Sequence, residues 1–252
     1  LAKTLGTLNI DGGTVQRDVF VASFRDVVRE LKLGTPLITA GEFRRIEKHV
    51  GGVNHLEFTR DGRYIASSGA DRVRIWDVTT GREVRQLMKH PDPIRRFDIS
   101  NDGKLIATAG KDGFIRIFEF ATGKLLRTLK GHEDIIFDVT FTPDGKRVLS
   151  ASMDRSVRVW DTATGKLLRT MWGHRSWVRS VDVSADGKFA ASTGNGLMVI
   201  VWNLKTWQRE QYFIAHQATA TWVEFVGKTN RIVTSGYDNV ARYWNLNLRT
   251  ER

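Results

Sequence analysis

The sequence predicts an all-β protein made of one four-stranded antiparallel unit repeated five times, preceded by a helical extension. Three periodic series carry that reading. Histidines stand at His49, His90, His132, His174 and His216, at spacings of 41, 42, 42 and 42 residues. Aromatic residues stand at Trp76, Phe118, Trp160, Trp202 and Trp244, spaced by 42 throughout. A hydroxyl residue follows each of these histidines by 18 positions: Ser67, Thr108, Ser150, Ser192 and Thr234. Among the six histidines only His55 lies outside the first series. Three registers locked to one period mark stacked supersecondary units.

The third unit shows the elements most clearly. Ile135 to Phe141 is apolar and β-branched, Thr142-Pro143-Asp144-Gly145 is a turn, and Arg147 to Ser152 is a second strand. After the turn at Met153-Asp154-Arg155, Ser156 to Asp161 alternates with period two. Thr162-Ala163-Thr164-Gly165 turns again, and Lys166 to Thr170 is the fourth strand. Asp61-Gly62, Asp102-Gly103, Asp144-Gly145 and Asp186-Gly187 mark one turn in four units, because these residues tolerate the left-handed backbone a hairpin requires. The fifth unit has Gly227-Lys228 there. Four antiparallel strands in about 42 residues describe the blade of a β-propeller.

At these residues the chain resembles the WD-repeat (WD40) family over about residues 41–247. Gly131-His132 and Gly173-His174 match its Gly-His element, and Trp76-Asp77 and Trp160-Asp161 its Trp-Asp element, with Trp202-Asn203 and Trp244-Asn245 as variants. The resemblance implies a closed ring of blades used for protein–protein assembly. It also implies a structural His, Ser/Thr, Asp, Trp hydrogen-bond tetrad in each blade. Three blades hold all four residue types: His49, Ser67, Asp71 and Trp76; His132, Ser150, Asp154 and Trp160; His216, Thr234, Asp238 and Trp244. The second has His90, Thr108 and Asp112 but ends on Phe118, and the fourth has His174, Ser192 and Trp202 with Gly196 in place of Asp. His, Ser and Asp together suggest a hydrolase triad, but a triad is one constellation and this one is distributed over five units. No catalytic residue is expected.

WD-repeat propellers usually close by lending an N-terminal strand to the last blade. Gly41 to His49 resembles Gly81 to His90, an outermost strand followed by the blade-starting His, while the chain's C-terminal end follows a third strand. This count closes five blades. The family more often has seven, which leaves further blades from a partner or absent segments, or a degenerate sixth from residues 1–40, as alternatives. Residues 1–40 stand apart from the propeller domain of 41–252. Val15, Val19, Phe20, Phe24, Val27, Val28 and Leu31 fall at helical spacing, predicting an amphipathic helix from about Thr14 to Leu33 that stops at Gly34-Thr35-Pro36. Such a helix packs on the propeller or docks in a partner's groove. Asp11-Gly12-Gly13-Thr14-Val15 faintly resembles half of an EF-hand, but Leu8 and Ile10 replace the carboxylates calcium needs.

The family commonly binds partners through residues three and five beyond each blade-starting His and the residue before the tetrad Asp. Carried over, these are Gly52, Asn54 and Ala70; Pro93, Arg95 and Lys111; Ile135, Phe137 and Met153; Trp177, Arg179 and Asn195; and Thr219, Thr221 and Tyr237. The predicted partner-binding set is Arg95, Lys111, Ile135, Phe137, Met153, Trp177, Arg179 and Tyr237, since aromatic, Met and Arg side chains make interface hot spots.

Composition narrows the remaining classes. The chain lacks cysteine, which excludes disulfides, thiolate metal sites and a cysteine nucleophile. No Walker loop, dinucleotide fingerprint or metal-ligand spacing occurs, so neither cofactor nor metal is expected. No apolar run reaches the roughly 18 residues of a membrane span, and Leu1-Ala2-Lys3-Thr4-Leu5 lacks the apolar core of a secretory signal. The expected setting is intracellular, in cytoplasm, nucleus or an organelle. A net charge of +11 favours acidic partners: a protein with acidic or mixed acidic-apolar segments, or RNA phosphates in a ribonucleoprotein. Arg72, Arg74, Arg116, Arg155, Arg158, Lys166, Arg169 and Arg242, on third and fourth strands, are expected to form a basic circumference. Blades two and four, with incomplete tetrads, are expected to open more readily than the others. Native-state hydrogen exchange checks this, and equal protection in all five blades would overturn it.

Overall fold

The structure is a computed structural model that describes Lys48, His49, residues 51–246 and Leu248. The predicted N-terminal helix and most of the predicted closing strand lie outside these residues. Nineteen strands form five antiparallel sheets in simple meander order, and no helix occurs among the described residues. Blade one comprises β1 (His55–Phe58), β2 (Tyr64–Ser68), β3 (Val73–Asp77) and β4 (Glu83–Gln86). Blade two comprises β5 (Ile94–Ile99), β6 (Leu105–Gly110), β7 (Ile115–Glu119) and β8 (Leu125–Leu129). Blade three comprises β9 (Ile136–Phe141), β10 (Arg147–Ser152), β11 (Ser156–Asp161) and β12 (Leu167–Trp172). Blade four comprises β13 (Val178–Val183), β14 (Phe189–Gly194), β15 (Met198–Asn203) and β16 (Gln208–Ile214). Blade five comprises β17 (Ala220–Phe225), β18 (Arg231–Gly236) and β19 (Ala241–Asn245).

Each blade is apolar on both faces because each is sandwiched between neighbours. In blade three, Val148 and Trp160 face blade two and pack with Ile115, Ile117, Leu129 and Ile136. Leu149, Val157 and Val159 face the other way, onto Val178, Val181, Ile200 and Trp202 of blade four. Adjacent residues along β10 and β11 thus serve different interfaces, as the two-residue period of a strand dictates. The same division joins blades one and two around Phe97 and Phe118, and blades four and five around Phe189 and Phe225. Burying one such side chain contributes about 1.5–3 kcal/mol.

The inner strands β1, β5, β9, β13 and β17 lie side by side in chain order, and residues of all five line a central cavity of about 700 Å³. Across this space the Arg96 guanidinium sits 4.2 Å from the Trp222 ring and 2.7 Å from His55 Nδ1, linking blades five, two and one. Burial, together with the Arg96 charge, holds His55 well below the usual imidazole range.

Polar stitches cross the blade boundaries at this inner wall. The Phe141 N–H of blade three donates to Asp98 Oδ2 of blade two at 2.6 Å. The Val181 N–H donates to Asp138 Oδ2 at 3.0 Å, and the Phe225 N–H to Asp182 Oδ2 at 2.7 Å. Innermost strands have no further strand to pair with, so a carboxylate from the previous blade satisfies their backbone donors. Asp138 is enclosed, and burial pushes its pKa up to about 7.

Gly145 shows why the Asp-Gly turns recur. Its φ is 68°, and Thr142 Oγ1 donates to Asp144 Oδ1 at 2.6 Å, so the turn needs a residue free to enter the left-handed region.

The stitches yield a stability prediction. Asp182→Ala orphans the buried Phe225 N–H and should cost about 1–3 kcal/mol, read as a lowered urea midpoint. An unchanged midpoint would show that the stitch contributes nothing.

Candidate functional site

Two constellations stand out: the five histidine-centred networks and the residues expected from the sequence to face a partner. Each histidine precedes an inner strand, while its hydroxyl partner lies on the second strand and its aromatic on the third. The imidazole–hydroxyl bond forms in all five blades: His49–Ser67 at 2.7 Å, His90–Thr108 at 3.0 Å, His132–Ser150 at 2.7 Å, His174–Ser192 at 2.7 Å and His216–Thr234 at 2.8 Å.

Blade three holds a complete network. The Trp160 indole N–H donates to Ser150 Oγ at 2.9 Å, and His132 Nδ1 lies 2.6 Å from Asp154 Oδ2. The indole makes Ser150 an acceptor, so its own proton goes to His132 Nε2, and His132 Nδ1–H goes to the carboxylate. Burial favours the neutral imidazole of His132. Burial also works to raise the Asp154 pKa, but hydrogen bonds from His132 and Ser156 hold it far below the usual carboxylate range. Blade five shares the indole and carboxylate contacts, with Trp244 Nε1 2.9 Å from Thr234 Oγ1 and His216 Nδ1 2.8 Å from Asp238 Oδ1, and adds Arg242 Nη1 at 2.7 Å from the same Nδ1.

Blade one departs from the sequence expectation of an intact tetrad. The Trp76 indole reaches Ser67 Oγ at 2.7 Å, yet His49 Nδ1 and Asp71 Oδ1 have no partner, and Asp71 instead takes the Arg72 guanidinium at 2.8 Å. The cause is one missing residue. Ser67 and Trp76 are nine positions apart, against ten for Ser150 and Trp160, so the turn after Asp71 lacks the residue that Arg155 supplies at φ 71°.

Blade two solves the loss of the indole from the other end. Arg116 donates to Asp112 Oδ2 at 2.6 Å and lies 3.1 Å from His90 Nδ1. That makes Nδ1 the acceptor and Nε2–H the donor to Thr108, reversing the polarity seen in blade three. Burial, reinforced by Arg116, pushes His90 down to about 4. In blade four Trp202 Nε1 donates to Ser192 Oγ at 2.8 Å, but His174 Nδ1 is buried without a partner, and burial pushes His174 down to about 4.

Arginine is a fifth recurring member that the sequence reading misplaced on the basic circumference. Arg116 and Arg158 are only 8% and 7% exposed, and Arg116, Arg158 and Arg242 all bond the Asp four residues before them. Third strands are covered on both faces, so their arginines turn toward that carboxylate instead of water. The signal was present: arginine stands two residues before the aromatic in every blade except the fourth, where Ile200 accompanies the missing Asp. Arg155, Lys166 and Arg169 are exposed, as an outer basic surface requires.

The partner-facing candidates gather around Arg179. Its guanidinium carbon lies 5.3 Å from the Phe137 ring, 6.0 Å from Trp177 and 5.7 Å from Tyr237. Phe137 and Trp177 lie with centroids 6.1 Å apart at a 32° tilt, and the Arg95 guanidinium lies 5.8 Å from the Phe137 ring. Arg179 Nε donates to Asn195 Oδ1 at 2.5 Å, which fixes the plane of the guanidinium. Tyr237 is 63% exposed, while Phe137, Trp177 and Arg179 are half-buried. Each cation–π contact is worth about 0.5–1 kcal/mol, so the cluster is held before any partner arrives. Lys111 is exposed, whereas Ile135 and Met153 are half-buried and joined by the Met153 N–H to Ile135 carbonyl bond at 2.9 Å. Asn54 is engaged structurally, donating to the Ile94 carbonyl at 2.8 Å. Among the described residues no group of three or more His, Asp or Glu side chains is arranged to hold a metal.

A family model described as WD domain, G-beta repeat matches residues 41–77, 81–119, 123–161 and 165–203. No curated protein sequence matches. Among solved structures, one titled "Structure of U3-55K" superposes with a TM-score of 0.75 at 24% identity. The match covers 80% of this chain and 63% of that one, and at this identity the likeness is one of fold.

The buried histidines set an acid limit on stability. His90 is neutral in the fold down to about pH 4, whereas an unfolded histidine takes up a proton near 6.5. Above the latter value neither state is protonated; as pH falls from there to about 4, only the unfolded state gains a proton and stability is lost. The wild type should therefore lose stability relative to His90→Gln across that window, by up to about 1.4 kcal/mol per pH unit. Parallel urea midpoints for the two proteins would refute it.

Proposed function

Because the chain belongs to the WD-repeat family, we propose that it is a non-catalytic scaffold whose Arg179-centred face captures an acidic, partly apolar segment of a partner protein within a larger assembly. Protein-interaction scaffolding is the general work of this family. The observation that carries the specific reading is the collar of Phe137, Trp177 and Tyr237 around one guanidinium, with Arg95 on its flank. Aromatic and arginine side chains that are preorganised and partly exposed supply both the apolar area and the charge an acidic-apolar segment needs.

The His–Ser–Asp sets argue for support, not catalysis. Ser150 is 0% exposed and its oxygen accepts an indole proton, so it presents no nucleophile to solvent. No helix among the described residues is long and apolar enough to cross a membrane.

A second reading, a structural subunit contacting RNA phosphates, draws on the net charge of +11 and on exposed Arg82, Arg127, Lys130, Lys166, Arg169 and Arg209 on and beside the outer strands. Such binding is sequence-independent and falls steeply with salt.

Replacing Trp177→Ala together with Arg179→Glu should abolish capture of protein partners from extract while leaving the β-sheet circular dichroism intact. Undiminished capture by the folded double variant sinks the docking reading. Titration with generic RNA separates the second reading, which is lost if no binding occurs at low salt.

A further inference from the structure

Blade four lacks both charged members of the network that the other blades carry, and the gap lies beside the docking cluster. We propose that His174 receives a side-chain carboxylate from the bound partner, which completes in trans the network that Asp completes in cis in blades three and five. This inference rests on the docking reading of the Arg179 face.

Four observations support it. First, His174 is 7% exposed and its Nδ1 has no hydrogen-bond partner, while its Nε2 is engaged by Ser192. With Ser192 accepting the Trp202 indole proton, the serine proton goes to Nε2, which leaves Nδ1–H as an orphaned buried donor. In blades three and five the same atom has a carboxylate at 2.6 and 2.8 Å. Second, a side chain is absent at Gly196 without being forbidden there. A Cβ built on it meets nothing within 4 Å, and its φ lies outside the left-handed region, which Leu197 occupies at 65° instead. Blade one differs: there Asp71 stands on the turn, held by the Arg72 guanidinium.

Third, backbone donors that hold the carboxylate elsewhere have counterparts here. Asp154 and Asp238 accept from the N–H of Glu133 and Gln217, one residue past each histidine; the residue in that position in blade four is Arg175. Fourth, the gap adjoins the aromatic cluster. Asn195, the residue before Gly196, donates its N–H to the Trp177 carbonyl at 3.0 Å and accepts from Arg179 through its side chain. A partner carboxylate entering at Gly196 therefore approaches through the turn whose Asn195 holds the Arg179 guanidinium. Nδ1 is closed to water, so entry requires the turn to swing outward, and Gly196 is its pliable point.

Acetate, which has the shape of an aspartate side-chain end, is the first probe. Titrated into the intact chain, it should move the His174 imidazole resonances saturably, with Nδ1–H shifting to its hydrogen-bonded position, while chloride at equal ionic strength does not. Gly196→Asp supplies the carboxylate internally; it should abolish the acetate response and raise the thermal midpoint. Gly196→Ala keeps the gap without filling it with charge and should preserve the response. A second probe, an immobilised peptide alternating Asp and Phe, should bind Gly196→Asp more weakly than wild type by on the order of tenfold. Acetate shifts no larger than those of chloride, or an undiminished response in Gly196→Asp, would overturn the inference. Peptide binding lost in the Trp177→Ala, Arg179→Glu variant but unchanged in Gly196→Asp leaves the docking face standing and removes the carboxylate site alone. Peptide binding unchanged in both removes the docking reading.

Discussion

The bond between a buried imidazole and a buried hydroxyl is the contact on which every blade depends. It survives in all five, at 2.7 to 3.0 Å, while each of its neighbours is lost somewhere. The indole is replaced by Phe118, the carboxylate by Gly196, the arginine by Ile200. The reason is positional. The histidine stands on the segment that leaves the outer strand of one blade to begin the inner strand of the next, and the hydroxyl stands on the adjacent second strand. Joining them pins each crossover between blades to the sheet it is about to enter. A hydroxyl both donates and accepts, so the bond tolerates either polarity. That freedom explains how blade two can be driven from the Arg116 side while blade three is driven from the indole side.

What that bond does at the edge of each blade, apolar packing and the inner carboxylates do along its faces. The blades have no private cores: each cluster is shared by two sheets, with Leu149 and Val148 on neighbouring positions serving different interfaces. Stability in such an array sums over nearest-neighbour contacts, so a weakened network is felt mainly at the two interfaces it borders. The stitches through Asp98, Asp138 and Asp182 run in one direction, from blades two, three and four to the backbone of the next. They tie the inner strands of neighbouring blades together where those strands line the central cavity.

The strand plan was legible because it rests on local chemistry. Asp-Gly turns, β-branched runs and three periodic series each point to the same blade, and the strand boundaries follow within a residue or two, as at Arg147–Ser152 and Ser156–Asp161. The consequences of single departures were not legible. The spacing of 41 between His49 and His90 already announced the residue missing from blade one, but only the turn geometry shows that Asp71 is thereby carried away from His49. The inner-strand acids also repeat, as Asp98, Asp182 and Glu224 with Thr140 between them, yet an acid in a strand reads as solvent-facing until the next blade's backbone is seen to need it. Arg116 and Arg158 misled for the same reason: charge signals a surface unless its partner is visible, and theirs stands four residues away across a turn. At the proposed docking face the individual positions could be carried over from the family, but not the convergence of three rings on Arg179.

Blade four shows how a repeat can change in one place without collapsing. Losing the aspartate alone would strand a buried arginine, and an uncompensated buried charge costs about 3–5 kcal/mol. Here Gly196 and Ile200 depart together, and Ile200 instead joins the apolar packing between blades three and four at 0% exposure. The exchange removes two charges from the interior at once, which the fold can sustain. It leaves one polar atom unserved, His174 Nδ1, and one space unfilled at Gly196. Local rules in natural proteins are most often broken where function requires it. The broken rule here adjoins Trp177, Asn195 and Arg179, the same turn and strand that build the aromatic collar. Structural defect and proposed docking surface thus share residues, and a ligand that repaired the first would be oriented by the second.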